Sequence, residues 1–189
     1  MQKLLLALAL AACLPLTTGC VPMAAVGAGT VAVMSNDRRT AGMYVEDENI
    51  EWKAIARLNN DAYKGAHVNA TSYNRKVLLT GEVPNEEMKK AIAEVIASIP
   101  SVVTVANELQ IAGASSLSAR GSDSLVTTNV KTRMINNGKF STSHVKVLTE
   151  ASTVYLMGIV TQAEGDAAAD IARTTSGVRG VVKVFEYMK

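Results

Sequence analysis

Apolar residues between Asp47 and Ala112 follow two different rhythms, and each change of rhythm marks an element. Ile50, Ala54 and Leu58 recur every four residues, the repeat of one helix face. His67 to Tyr73 and Lys76 to Val83 are predicted as strands, joined by a tight hairpin at Asn74-Arg75. Met88, Ala91, Ile92, Val95 and Ile99 then stand at i, i+3, i+4, i+7 and i+11, which puts them on one buried helix face. A last strand is predicted from Val102 to about Ile111. The unit reads helix, strand, strand, helix, strand, an αββαβ order in the α+β class.

The same order occurs twice. Val77 to Val83 aligns with Val154 to Val160 at an offset of 77, which also brings Val68 onto Val145 and Glu87 onto Glu164. Two residues inserted in the second copy bring Ile99 to Val105 onto Val178 to Val184. The expected organisation is a signal segment over 1–19, a tether over 20–46, a first module over 47–112, a linker over 113–122 and a second module over 123–189. Within the tether, Val21 to Met34 is rich in Ala, Gly and Val, and Ser35 to Thr40 is a polar break; the linker is small and polar, consistent with flexibility. Thr161 and Glu164 have capping-box spacing at the start of a helix. Gly81 and Gly158 interrupt repeat-equivalent strands, where a missing side chain suggests a bulge or a close backbone approach. A module of roughly 65 residues buries only about 60% of its unfolded surface, so the copies are expected to pack on each other or on another surface.

The N-terminus changes the picture from a folded pair to an exported one. Lys3 precedes an apolar stretch from Leu4 to Leu16, too short for a span of roughly 20 residues and typical of a cleaved secretory signal. It ends Leu16-Thr17-Thr18-Gly19-Cys20, with small residues before a cysteine, as lipoprotein processing requires. Leu10-Ala11-Ala12-Cys13 fits the usual spacing better, yet cleavage there leaves only about six apolar residues in the signal. Cys20 is therefore the expected lipidation site, with Cys13 as the alternative.

Composition and charge mainly exclude. No cysteine lies beyond Cys20, so disulfides, cysteine metal sites and thiol catalysis fall away. The formal charge is +2, with no Lys/Arg run to follow a phosphate backbone, so nucleic acid is not an expected partner. His67 and His144 precede equivalent strands and read as surface residues; no nucleophile elbow, phosphate loop or paired metal-ligand motif is present. Neither catalysis, cofactor nor metal is expected.

Several segments carry a family resemblance: Gly19-Cys20-Val21; Asp37-Arg38-Arg39-Thr40-Ala41-Gly42 with Glu46-Asp47 after it; Val77 to Val83; and Val154 to Thr161. Their order and the duplication resemble the BON-domain proteins, and among them the dual-BON outer-membrane lipoproteins of the DolP (formerly YraP) family. The resemblance implies two tandem BON domains, each a three-stranded mixed sheet packed on two helices. It further implies a non-enzymatic, lipid-anchored, periplasm-facing protein of the outer membrane. Such a protein would bind anionic phospholipid, phosphatidylglycerol or cardiolipin, associate with the division site and support membrane integrity. Val21 after Cys20, where Asp would retain a lipoprotein at the inner membrane, agrees with outer-membrane sorting by analogy with the known rule. The alternative is a protein-binding accessory to the outer-membrane protein assembly machinery.

A candidate lipid contact comes from the residues themselves. On a helical wheel Val126, Val130 and Met134 share one face, whereas Leu125, Thr128, Thr132 and Ile135 form a separate i, i+3, i+7, i+10 stripe with Lys131 at its edge. An apolar stripe beside a cation suits an anionic bilayer surface. The second module carries eight basic against six acidic residues and the first seven against nine, which favours the second for that contact. Trp52 lies off the Ile50/Ala54/Leu58 face and is expected to pack between the modules, with lipid contact as its second role.

Overall fold

The computed structural model describes residues 37–188. The signal segment, Cys13, Cys20 and the stretch 21–34 lie outside them. The first helix, α1 (Ala41–Leu58), starts where the Thr40 side chain accepts from the Met43 amide, and it buries Asp47, Ile50 and Ala54. Strands β1 (His67–Tyr73) and β2 (Lys76–Val83) follow and pair antiparallel, at the predicted bounds. The next helix, α2 (Glu86–Ala97), is capped by Asn85. Two short strands, β3 (Thr104–Asn107) and β4 (Gln110–Ile111), then run parallel to β2.

The predicted last strand is thus broken in two. Asn107 is the cause: its side chain accepts from the Leu109 amide and donates to the Lys89 carbonyl, pulling the backbone out of the ladder. Leu109, at the break, is fully buried in the core with Val77, Leu79, Ile92 and Ile96.

The second module repeats the plan with α3 (Leu117–Asn137), β5 (Val145–Glu150), β6 (Thr153–Val160), α4 (Gln162–Arg173) and β7 (Gly180–Tyr187). Here β5 and β6 are antiparallel, β6 and β7 parallel, and the capping box at Thr161 and Glu164 is formed. The first helix of each module reaches upstream of the expected module boundary. Helix α1 starts at Ala41, inside the predicted tether, and α3 starts at Leu117, inside the predicted linker. Ser116 caps α3, and the Ser122 and Ser124 hydroxyls turn back to carbonyls four residues earlier, so a serine-rich stretch that reads as linker is helical.

One buried carboxylate in each first helix shapes each hairpin. Asn74 and Arg75 occupy left-handed backbone at φ 52° and 65°, as do Ala151 and Ser152 at 48° and 64°. That conformation costs non-glycine residues about 1–2 kcal/mol apiece. Asp47 compensates by accepting from the amides of Asn74 and Arg75, each at 2.8 Å, and from the Ser72 hydroxyl at 2.7 Å. Asp123 does the same for the amides of Ala151 and Ser152, each at 2.9 Å. Gly81 and Gly158 mark a second shared constraint. A Cβ on either would collide with the carbonyl oxygen of the opposing histidine, His67 or His144, so the close approach predicted for these glycines is present.

The described residues belong to one compact unit, with the modules packed sheet to sheet. Each sheet turns one face to its own helices and the other to its neighbour. Tyr73 and Leu78 from the first module meet Tyr155 and Met157 from the second, with Leu148, Ile159 and Val182 around them. This shared seam answers the marginal size of a single module.

Asp123→Ala strands two turn amides and is expected to lower stability by about 2–3 kcal/mol. Asp47→Ala should cost more, since it also deprives the Ser72 hydroxyl and the buried Arg39 of a partner. Urea unfolding of the two variants checks the order, and an equal or smaller loss at Asp47 would contradict it.

Candidate functional site

Helix α3 is apolar on two different faces. Val126, Val130 and Met134 enter the second module's core. Leu125 and Ile135 point outward, 68% and 64% exposed, and Thr128, Lys131 and Thr132 are exposed with them. The five residues of the predicted stripe therefore share an accessible surface of one helix. Leu117 is also exposed, eleven residues before Thr128 and so on the same side. Its segment reads as linker from the sequence, which conceals its place on the helix.

A second apolar stripe was missed altogether. Val45, Trp52 and Ile55 are all more than half exposed on α1, and Trp52 does not pack between the modules as expected. The seam is filled by sheet residues, which leaves the outer faces of both first helices free. The two stripes differ in charge. Apart from the buried Asp47 and Asp123, α1 carries Lys53 and Arg57 against Glu46, Glu48 and Glu51, and α3 carries Arg120, Lys131 and Arg133 with no other acidic residue.

Two consecutive arginines tie the start of the described chain to both modules. Arg38 makes a bidentate pair with Glu164 at 2.7 and 2.9 Å and donates to the Ile159 carbonyl at 2.8 Å. Arg39 pairs with Asp37 and Asp47 and lies 4.0 Å from the Tyr73 ring centroid and 5.0 Å from that of Tyr44. Burial opposes the charge on Arg39, but its hydrogen bonds with Asp37 and Asp47 outweigh that and raise its pKa. Burial, with Asp37 nearby, pushes the Tyr73 hydroxyl up to about 12. The hydrogen bond from Arg38 holds the Glu164 carboxyl down at about 2. Beside this fastening, a cavity of about 410 Å³ is lined by Arg39, Tyr44 and Tyr73 on one side and by Lys131, Met134 and Ile135 on the other.

Comparison with known proteins matches the BON-domain family model over residues 46–113 and 122–189. Over 173 residues the chain is 41% identical to the outer membrane lipoprotein DolP of Haemophilus influenzae, covering 90% of this chain and 89% of that one. The chain belongs to the dual-BON family of outer-membrane lipoproteins that includes DolP. It is also 34% identical over 155 residues to a 21 kDa hemolysin of Actinobacillus pleuropneumoniae, covering 81% and 80% of the two chains. Identity to the osmotically-inducible protein Y of Escherichia coli is 28% over 144 residues, covering 74% and 72%. These relatives are named for a lipoprotein, a hemolysin and an induced protein, and the family is non-enzymatic. No helix among the described residues is long and apolar enough to cross a membrane.

Both BON domains hold a histidine where the sequence suggested surface residues, and both are largely buried instead. The His67 side chain is 17% exposed with Nδ1 at 3.0 Å from Glu82, and that of His144 is 13% exposed with Nδ1 near Glu164 at 3.5 Å but without a hydrogen bond. Their acidic partners come from β2 for His67 and from the start of α4 for His144, so no local spacing announces either pair.

Glu164 titrates below its ordinary value of 4.5, so the stability it contributes is complete above that pH and fades as the pH falls towards about 2. The wild-type protein should therefore lose more stability than Arg38→Ala over this interval. Urea midpoints at about pH 5 and pH 2.5 test this, and equal losses in the two proteins would refute it.

Proposed function

We propose that this chain is acylated at Cys20, stands on the periplasmic side of the outer membrane, and binds anionic phospholipid through helix α3 of its second BON domain. Leu125, Thr128, Lys131, Thr132 and Ile135 are the contact residues, with Leu117 extending the surface. The observation that carries the reading is the outward stripe of α3, where Leu125 and Ile135 are both more than 60% exposed with Lys131 beside them. A buried large apolar side chain supplies roughly 1.5–3 kcal/mol and a nearby basic residue about 1 kcal/mol, which is weak attachment alone. Acyl chains supply the second signal by holding the helix near the bilayer. The same attachment supports a role in outer-membrane integrity at the division site, where phosphatidylglycerol or cardiolipin would be the ligand.

A specific observation favours a second surface with a different partner. The α1 stripe of Val45, Trp52 and Ile55 has the exposed Glu48 among its residues, and Glu46 and Glu51 offset Lys53 and Arg57 on the same helix, which suits an anionic bilayer less than α3 does and favours a protein. An accessory contact with the outer-membrane assembly machinery would use this face. The face between the modules is filled by their own sheets.

Leu125→Glu should weaken binding to phosphatidylglycerol vesicles at least tenfold in a flotation assay, with an unchanged far-ultraviolet spectrum. Trp52→Glu should leave vesicle binding intact. Retained binding in the first variant, or an equal loss in the second, would overturn the assignment to α3.

A further inference from the structure

Three potential metal ligands from both domains converge at one end of the seam. His67 opens β1 and stands directly across from Glu82 of β2, while Glu150 closes β5 of the other domain. His67 Nδ1 lies 3.0 Å from Glu82 Oε2 and 4.0 Å from Glu150 Oε1, and one ligand atom from each residue lies within 4.8 Å of the other two.

The surroundings go beyond a simple pair of His67 with Glu82. Glu82 and Glu150 are only 6% and 8% exposed. Neither pairs with a lysine or arginine among the described residues, so one imidazole faces two buried carboxylates. Oε1 of each glutamate accepts no hydrogen bond among the described residues. The other oxygens are fixed in place: Asn69 donates to Glu150 Oε2 at 2.9 Å, and the Ser115 amide donates to Glu82 Oε2 at 3.1 Å. This is the pattern of outer partners that orient metal ligands. Cavities of about 220 and 200 Å³ reach the cluster, with Glu150 lining both.

We propose that His67, Glu82 and Glu150 bind one divalent transition-metal ion of the Zn²⁺ type, which clasps the first BON domain to the second. An imidazole nitrogen with two carboxylates suits Zn²⁺, whereas Mg²⁺ and Ca²⁺ favour oxygen-only shells. Ligand atoms on an ion at about 2.1 Å stand roughly 3.4 Å apart, so the trio needs to draw in by about 1.4 Å at most. Drawing in over that distance requires the two glutamate side chains to rotate about the hydrogen bonds from Asn69 and Ser115. The ion would neutralise the opposed carboxylates and link a hairpin of one domain to a strand of the other.

The test is calorimetric titration of the untagged full-length protein, in detergent and stripped with EDTA, with Zn²⁺ alone. One equivalent should bind saturably and raise the thermal midpoint, with Mg²⁺ at least tenfold weaker. His67→Gln and Glu150→Gln should each weaken Zn²⁺ binding at least tenfold, and His144→Gln should not. Glu150→Gln in the stripped protein removes one of two opposed charges and should be no less stable than the wild type, so lost binding there is not lost folding. If a variant unfolds, the wild-type titration decides together with X-ray absorption, which should report mixed nitrogen and oxygen ligation without sulfur. Absence of one-equivalent binding, full binding in both variants, or equal affinity for Mg²⁺ would each overturn the proposal.

Discussion

The packing of one sheet against the other is what the rest of the molecule depends on. A module this small is marginal alone, and its central strand would present one greasy face to water. Duplication solves this by giving that face a partner of the same kind. Val77, Leu79 and Val83 of β2 face their own helices, while Leu78 turns the opposite way into the seam. In β6, Val154 and Leu156 face inward and Tyr155 and Met157 outward. Both central strands are consequently buried on two sides, as strands in the middle of a larger protein would be.

Once the sheets face each other, the helices are left on the two outer layers, and this sets what each can do. The first helix of each domain spends one face on its core and offers the other to solvent. The difference between them lies in charge rather than shape, since α1 is predominantly acidic and the surface of α3 basic. One architecture thus yields two apolar stripes suited to chemically different neighbours. Polar groups at the rim of the seam pair across it. Lys146 reaches Glu51 at 2.8 Å, and Asn74 reaches Glu186 at 2.8 Å.

What the sequence revealed and what it hid divide along the range of the interactions. The hairpin of β1 and β2 was legible to the residue because the alternation of its strands and the polar Asn74-Arg75 pair between them are local signals, even though Asp47, 27 positions earlier, holds the turn. The stripe of α3 was legible for the same reason, since helical period alone separates Leu125 and Ile135 from Val126 and Val130. Helix starts were not, because Thr40 and Ser116 sit in polar stretches that resemble linker until the capping geometry is seen. Trp52 was misplaced because its exposure depends on which surface the second domain covers, and no periodicity carries that information. His67 was misread as a surface residue for a related reason: Glu82 lies 15 positions away and Glu150 in the other domain.

The arginine pair at the start of the described chain has a consequence for the order of assembly. Arg38 binds Glu164, 126 positions further on, while Arg39 binds Asp47 only eight positions away. In a chain that appears amino end first, Arg39 can reach Asp47 early, whereas Arg38 must wait for Glu164. Loop closure over such a separation is entropically expensive before the sheets have met and inexpensive afterwards. The two residues therefore divide the labour in time: one seats the leading segment on the early half, and its neighbour latches the finished pair.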